Sequence, residues 1–267
     1  MNYDRTIEMI RRNPIIIKTI KNPTDEMKLI AVEKDGVALQ YIREQTEEMK
    51  ILAIKSNVNA IEFVENPTEI MKEFVVKQGW NTLKFIKEPS ESLIKMGIHQ
   101  KGWAIKYANN PSTELQMMAV EKDYDAIKYI KTPDEKVQKA AVKISYDALR
   151  YIQQPTIKAE IAAIRENEAA IKFVLDLTEE KKRCFLKENI LVIKYISRDI
   201  PIDTLEEILK DVLGRYDVEE KYVRDFISCE SISDKYKNIS MDKIIFIYKY
   251  GSSRAKKIAV DEKLKMG

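Results

Sequence analysis

Apolar residues recur along this chain three and four positions apart, the spacing of a buried helix face, and the whole pattern returns after 22 residues. In rows of 22, Pro23, Pro67, Pro89, Pro111, Pro133 and Pro155 share a column whose gaps hold Gln45 and Leu177. Eighteen positions further on, Tyr41, Phe63, Phe85, Tyr107, Tyr129, Tyr151, Phe173 and Tyr195 form an unbroken aromatic column. The position after the proline holds Thr24, Thr46, Thr68, Ser90, Ser112, Asp134, Thr156 and Thr178, whose side-chain oxygens suit a helix N-cap. The next position carries Asp25, Glu47, Glu69, Glu91, Glu135 and Glu179, where a helix dipole favours negative charge.

Each unit therefore predicts a helix A of about ten residues, with a small residue (Ala31, Ala53, Gly97, Ala119) beside a branched one (Val32, Ile54, Ile98, Val120). A turn carrying Gly36, Gly79 or Gly102 leads to a helix B of about seven residues, ended by the residue before proline, which is forced out of the right-handed helical region. One such hairpin leaves an apolar face uncovered, so neighbours must stack. Eight clear copies and a degenerate one at residues 1–22 make the expected fold all-α: a right-handed α-solenoid over 1–198. Beyond that the register fails. Helices are expected near 203–213, 217–227, 240–250 and 252–265, forming a C-terminal cap or small helical domain over 199–267.

Composition agrees with helices: 33% charged residues, 7 glycines and 8 prolines. No apolar run approaches the roughly 18 residues of a membrane span, and the first residues lack a signal-peptide core, so a cytoplasmic protein is expected. Cys184 and Cys229 are too far apart in sequence to suggest a zinc set or a disulfide framework. With a net charge of +3 and a pI near 8.5, any basic surface must be local.

The unit NPTDEMKLIAVEKDGVALQYI, residues 22–42, resembles the short α-helical repeats of bacterial, phage and large-virus proteins of unknown function. It is more distantly similar to leucine-rich repeat variant and HEAT-type solenoids, whose units are longer. The resemblance covers residues 1 to about 198 and implies a scaffold; it carries over no catalytic residue. An inhibitor that occludes a larger target is an expectation of this resemblance alone.

The chain holds little that could do covalent chemistry. His99 is the sole histidine and lies in a charged column of helix A, which nearly excludes triads and histidine-based metal sites. Cys184 shares a column with Ile30, Leu52 and Met96, which suits a core position better than a nucleophile. Asp125 and Asp147 recur at the turn near Trp103 and Tyr124, as the acids of HEAT-like DNA glycosylases would require, but capping of helix B accounts for them more simply. No catalytic residue, cofactor or metal is expected, and no small-molecule substrate or membrane partner is suggested.

One column is informative about binding. Lys84, Lys106, Lys128, Arg150, Lys172 and Lys194 place a cation at the same position of six successive repeats, after Gln40 and Glu62. Trp80, Trp103, Tyr124 and Tyr146 stand at the start of helix B, three or four residues before Lys84, Lys106, Lys128 and Arg150, so helical spacing puts each pair on one face. A solvated ridge and aromatic padding would produce the same pattern. The functional expectation is a non-enzymatic scaffold gripping a protein partner through these eight residues, since Trp, Tyr and Arg dominate interface hot spots. Nucleic-acid binding, with cations on phosphates and rings on bases, is the alternative.

Overall fold

The structure is a computed structural model describing residues 3–233 and 239–266. Among these residues it is all-helical, built from repeating helix–turn pieces. The first helices are α1 (Tyr3–Arg12), α2 (Asp25–Lys34), α3 (Glu47–Ser56), α4 (Glu69–Gln78) and α5 (Glu91–Gln100). They are followed by α6 (Thr113–Lys122), α7 (Glu135–Ile144), α8 (Ile157–Glu166) and α9 (Glu179–Glu188), and each of the nine is ten residues long. Every residue expected to cap helix A does so: Thr24, Thr46, Thr68, Ser90, Ser112, Asp134, Thr156 and Thr178 each accept a hydrogen bond from a backbone N–H of the first turn. The acid that follows often pairs with a lysine three residues on, as in Asp25–Lys28, Glu47–Lys50 and Glu69–Lys72.

Helix B differs from expectation. It is a six-residue 3₁₀ helix in eight pieces: Pro14–Thr19, Gly36–Tyr41, Val58–Phe63, Trp80–Phe85, Gly102–Tyr107, Tyr124–Tyr129, Tyr146–Tyr151 and Glu168–Phe173. Six residues span about 12 Å at the 3₁₀ rise but about 9 Å at the α rise, so the tighter helix better matches the length of its ten-residue neighbour. Its third and fourth positions, such as Ala38 and Leu39 or Ala126 and Ile127, are fully buried. The ninth piece begins as a short 3₁₀ turn, Ile190–Val192, and continues as α10 (Ile193–Ile196). Before Pro67, Pro89 and Pro111, the residues Asn66, Glu88 and Asn110 adopt φ of 52°, 48° and 49°, the left-handed region, where a glutamate is strained.

The chain divides into two compact units, Met1–Pro133 and Asp134–Gly267. In the first, each α-helix from α1 to α6 packs on the next, and so does each 3₁₀ helix. The small column makes this close approach possible: Ala31, Ala53, Val75 and Ala119 have no exposed surface, and a Cβ on Gly97 would stand 2.6 Å from a methyl of Leu83. In the second unit α7, α8 and α9 pack in the same manner.

The second unit goes on to α11 (Ile202–Leu213), α12 (Glu220–Ser228), α13 (Lys243–Tyr250) and α14 (Ser253–Met266). These lie close to the four expected helices. Helix α11 packs on α9, and α12 packs on Ile190–Val192. The buried Tyr222 hydroxyl of α12 donates to the Leu186 carbonyl at 2.8 Å, and burial pushes its pKa up.

Candidate functional site

Within the first unit, four of the six residues that begin the 3₁₀ helices show two behaviours, while Asn13 and Asp123 place no side-chain cap on their own turns. Asp35 and Asn57 each accept a bond from the N–H two residues on, within their own repeat. Gly79 and Lys101, at the same position, offer no side-chain cap. Their 3₁₀ helices are tied to the following repeat instead. The Trp80 N–H donates to Gln100 Oε1 at 3.0 Å, while Gln100 Nε2 donates to the Val76 carbonyl at 2.6 Å. The Gly102 N–H donates to Asp123 Oδ2 at 2.6 Å, and Lys101 Nζ reaches Asp123 Oδ1 at 2.6 Å. Gly102 is required there, because an added Cβ would lie 2.3 Å from the Ala119 carbonyl oxygen.

The aromatic residues at these starts make contacts of the same kind, one repeat on. Trp80 packs against Tyr107 with ring centroids 6.4 Å apart, and Trp103 meets Tyr129 edge-on at 5.9 Å. The Trp103 indole N–H donates to Asp125 Oδ1 at 2.7 Å, and Lys128 Nζ donates to Asp125 Oδ2 at 2.7 Å. Asp125 thus orients Trp103 and does not cap its own helix. Burial pushes the Asp125 pKa up, but the hydrogen bonds from Lys128 and Trp103 and the charges of Lys128 and Lys101 outweigh it and hold the carboxyl below its usual value.

The lysines lie on the rings. Lys106 Nζ stands 5.2 Å from the Trp80 centroid, 4.8 Å from Tyr107 and 5.8 Å from Tyr129; Lys128 Nζ is 3.9 Å from Trp103, with Lys101 at 5.0 Å. The expected pairs Trp80 with Lys84 and Trp103 with Lys106 are therefore replaced by Trp80 with Lys106 and Trp103 with Lys128. In a 3₁₀ helix residues four apart diverge, which separates Trp80 from Lys84; Trp103 and Lys106, three apart, share a face, yet the lysine over the Trp103 ring is Lys128 of the following repeat. Lys84 sits over its neighbour Phe85 at 4.3 Å. Tyr124 is half-buried and meets no ring or cation over its ring among the described residues.

In the second unit Tyr146 stacks on Phe173 at 6.4 Å, and Arg150 lies 5.3 Å from Tyr151 and 5.7 Å from Phe173. The relation of Tyr146 to Phe173 repeats that of Trp80 to Tyr107, 27 positions on in each case. Asn167 and Asn189 cap within their own repeats, as Asp35 and Asn57 do in the first unit.

The cation column is only partly compensated. Lys128 is paired with Asp125 and Lys194 with Glu168, whereas Lys84 and Lys106 in the first unit and Arg150 and Lys172 in the second meet no carboxylate among the described residues. The residues missed from sequence are Gln100, Lys101 and Asp123. Asp123 carried a signal, since it shares a column with Asp35 and Asn57; the repeat it would serve did not.

His99 is exposed on α5, Cys184 is half-buried and Cys229 is buried. No three His, Cys, Asp or Glu side chains among the described residues are grouped to hold a metal, and no helix among them is long and apolar enough to cross a membrane. No family model, curated protein or solved structure matches the chain.

Proposed function

We propose that the chain is a non-enzymatic binding scaffold whose helix–turn pieces stack in register as a right-handed α-solenoid of nine repeats, with residues 199–267 capping the last. The 22-residue period supports this stacking, because it runs through Pro133 without a break. The partner is a protein with an acidic or mixed surface, gripped by Trp80, Lys84, Trp103 and Lys106, with Tyr124, Lys128, Tyr146 and Arg150 continuing the same columns.

The observation that carries this reading is the ladder of half-buried rings fixed across successive repeats, beside two lysines without carboxylate partners. Rings already ordered by Asp125 at Trp103 and by Tyr107 at Trp80 lose little entropy on binding, the property of a hot-spot cluster. Lys84 and Lys106 suit carboxylates on the partner. Asp125 is committed to Trp103 and Lys128, which argues against its use as a catalytic acid or base. That the scaffold occludes a larger target as an inhibitor rests on the repeat resemblance alone.

Nucleic-acid binding is the second reading, favoured by the uncompensated Lys84, Lys106, Arg150 and Lys172. Against it, lysines already stand over the Trp80 and Trp103 rings on which bases would have to stack. A pull-down from the native cytosol separates the two, run with and without nuclease and with a Lys84→Glu, Lys106→Glu double variant that leaves the rings in place. A partner retained after nuclease and lost with the variant supports the protein scaffold. Loss on nuclease treatment, together with log affinity falling by about 0.7 per phosphate against log salt, supports the nucleic-acid reading. Retention in every arm places the interface elsewhere.

A further inference from the structure

Helices α13 and α14 carry exposed apolar side chains beside their buried ones. Between them runs a cleft of about 100 Å³ lined by Ile244, Ile247, Tyr248, Lys256, Ala259, Val260 and Lys263. Two of its lining side chains are exposed and apolar, Tyr248 on α13 at 78% and Val260 on α14 at 59%, and Ile245 and Leu264 on the same helices are 62% and 77% exposed. Other apolar side chains of the same helices, Phe246, Ile247, Ala255 and Ile258, are buried inward. The exposed set is thus a second set of apolar side chains, one turn apart along each helix, left exposed among the described residues.

The charge around this face is one-sided. From Lys249 to Lys265 the chain carries six cations and two carboxylates, whereas the whole chain has a net charge of only +3. One of the two carboxylates, Glu262, is turned away to Arg224 and Lys265. Lys256 and Lys263, which line the cleft itself, meet no carboxylate among the described residues. The Lys256 ammonium stands 5.7 Å from the Tyr248 ring at one lip.

We propose that this cleft is a docking groove for an acidic amphipathic helix of a partner protein, a second contact surface that does not depend on the central rings. The α14 helix is 14 residues long, or about 21 Å, a match for three to four turns of a helix laid along it with apolar anchors at i, i+3/i+4 and i+7. Glu or Asp flanking those anchors would meet Lys249, Lys256 and Lys263. A second copy of this chain fits poorly, because a two-fold pairing of the face would set these lysines against one another. A lipid surface is an outcome that the test below separates.

The test uses the full chain and a fluorescently labelled helical peptide of about 14 residues, with leucines at the anchor spacing and glutamates on both flanks. A scrambled peptide of the same composition is the control, and anisotropy is the readout. Saturable binding is expected for the patterned peptide alone. It should weaken at least about tenfold in Val260→Asp and in Lys256→Glu, Lys263→Glu, and it should persist in the Lys84→Glu, Lys106→Glu variant. These substitutions fall on exposed positions, and an unchanged thermal melt confirms that the fold survives. Equal binding of the scrambled peptide, no saturable binding, or indifference to Val260→Asp would each overturn the proposal. So would co-sedimentation with phosphatidylserine vesicles that the peptide does not compete away, or a concentration-dependent dimer that Leu264→Asp disperses.

Discussion

Two kinds of repeat occupy the same register in this molecule. Where Asp35, Asn57, Asn167 or Asn189 begins the 3₁₀ helix, an N–H at the start of the turn is capped from within its own repeat. Where Gly79 or Lys101 stands there, the N–H that opens the turn is satisfied by Gln100 or Asp123 of the next repeat, and a tryptophan lies at or beside that N–H. Giving up the local cap transfers the order of the turn to its neighbour. The same exchange builds the aromatic ladder, since one stacking offset brings the next repeat's polar side chain to the open N–H and its tyrosine to the indole. Candidate function is thus concentrated where local self-sufficiency is lowest.

The most severe way to break the neighbour-dependent kind is Gly102→Ala. A Cβ there falls 2.3 Å from the Ala119 carbonyl oxygen and 3.1 Å from the Asp123 side chain, and neither backbone can withdraw without opening the contact between repeats. A loss of about 3 kcal/mol is expected, the upper end for overpacking a tight contact. Urea unfolding checks it, and a loss under about 1 kcal/mol would mean that the repeats are not held this closely.

Asp123→Ala set against Asn57→Ala sharpens the comparison. Asn57 serves one N–H in its own repeat, so its loss should cost about 1 kcal/mol, as for a helix cap. Asp123 serves the N–H of a buried glycine and a lysine together, so about 2 kcal/mol is expected, the cost of leaving a buried donor unsatisfied beside an unpaired charge. Only Asp123→Ala should also perturb tryptophan emission, since both tryptophans of the chain belong to the ladder. Equal losses and equal spectra would erase the distinction between the two kinds of repeat.

The repeat itself was legible because its signals are local. The threonine after proline caps the helix it opens, and the alanine seven positions later, as in Thr24 and Ala31, is buried. The helices after residue 199 were legible because Gly214, Gly251 and a polar stretch separate their apolar faces. The 3₁₀ character of the second helix was not, since six residues make too short a window to tell a period of 3.0 from 3.6. Nor was the partner of each tryptophan. Spacing within a repeat pointed to Lys84 for Trp80, whereas the stacking offset, which no single repeat encodes, brings Lys106 and Tyr107.

A smaller gain is expected from Glu88→Asn. Asn66 and Asn110 hold the left-handed corner in the flanking repeats, and asparagine tolerates that region better than glutamate. The substitution should raise stability by about 0.5 kcal/mol, within the roughly 1 kcal/mol scale of such backbone effects. Glu88→Ala lacks the short polar side chain that lets asparagine settle in this region and should give no comparable gain. If the two variants melt together, the corner is not where glutamate loses.

The smallest expected effect is a local titration at Trp103. Asp125 is ionised when it accepts from the indole N–H and from Lys128, and its pKa in the folded chain lies below the usual value. A depressed carboxyl contributes stability that is fully present above its unfolded pKa of about 3.9 and is lost as pH falls through the lower folded value. Tryptophan emission should therefore stay flat from neutral pH down to about 4 and change below it, ahead of or together with global acid unfolding followed by circular dichroism. Asp125→Asn retains an oxygen for the indole but cannot titrate, so the spectral step should vanish while the near-neutral spectrum is kept. A step centred well above pH 4 in the native chain, or one that survives Asp125→Asn, would show that the indole is not held by this carboxylate, and the case for a preordered ladder at the central repeats would lose its best-fixed ring.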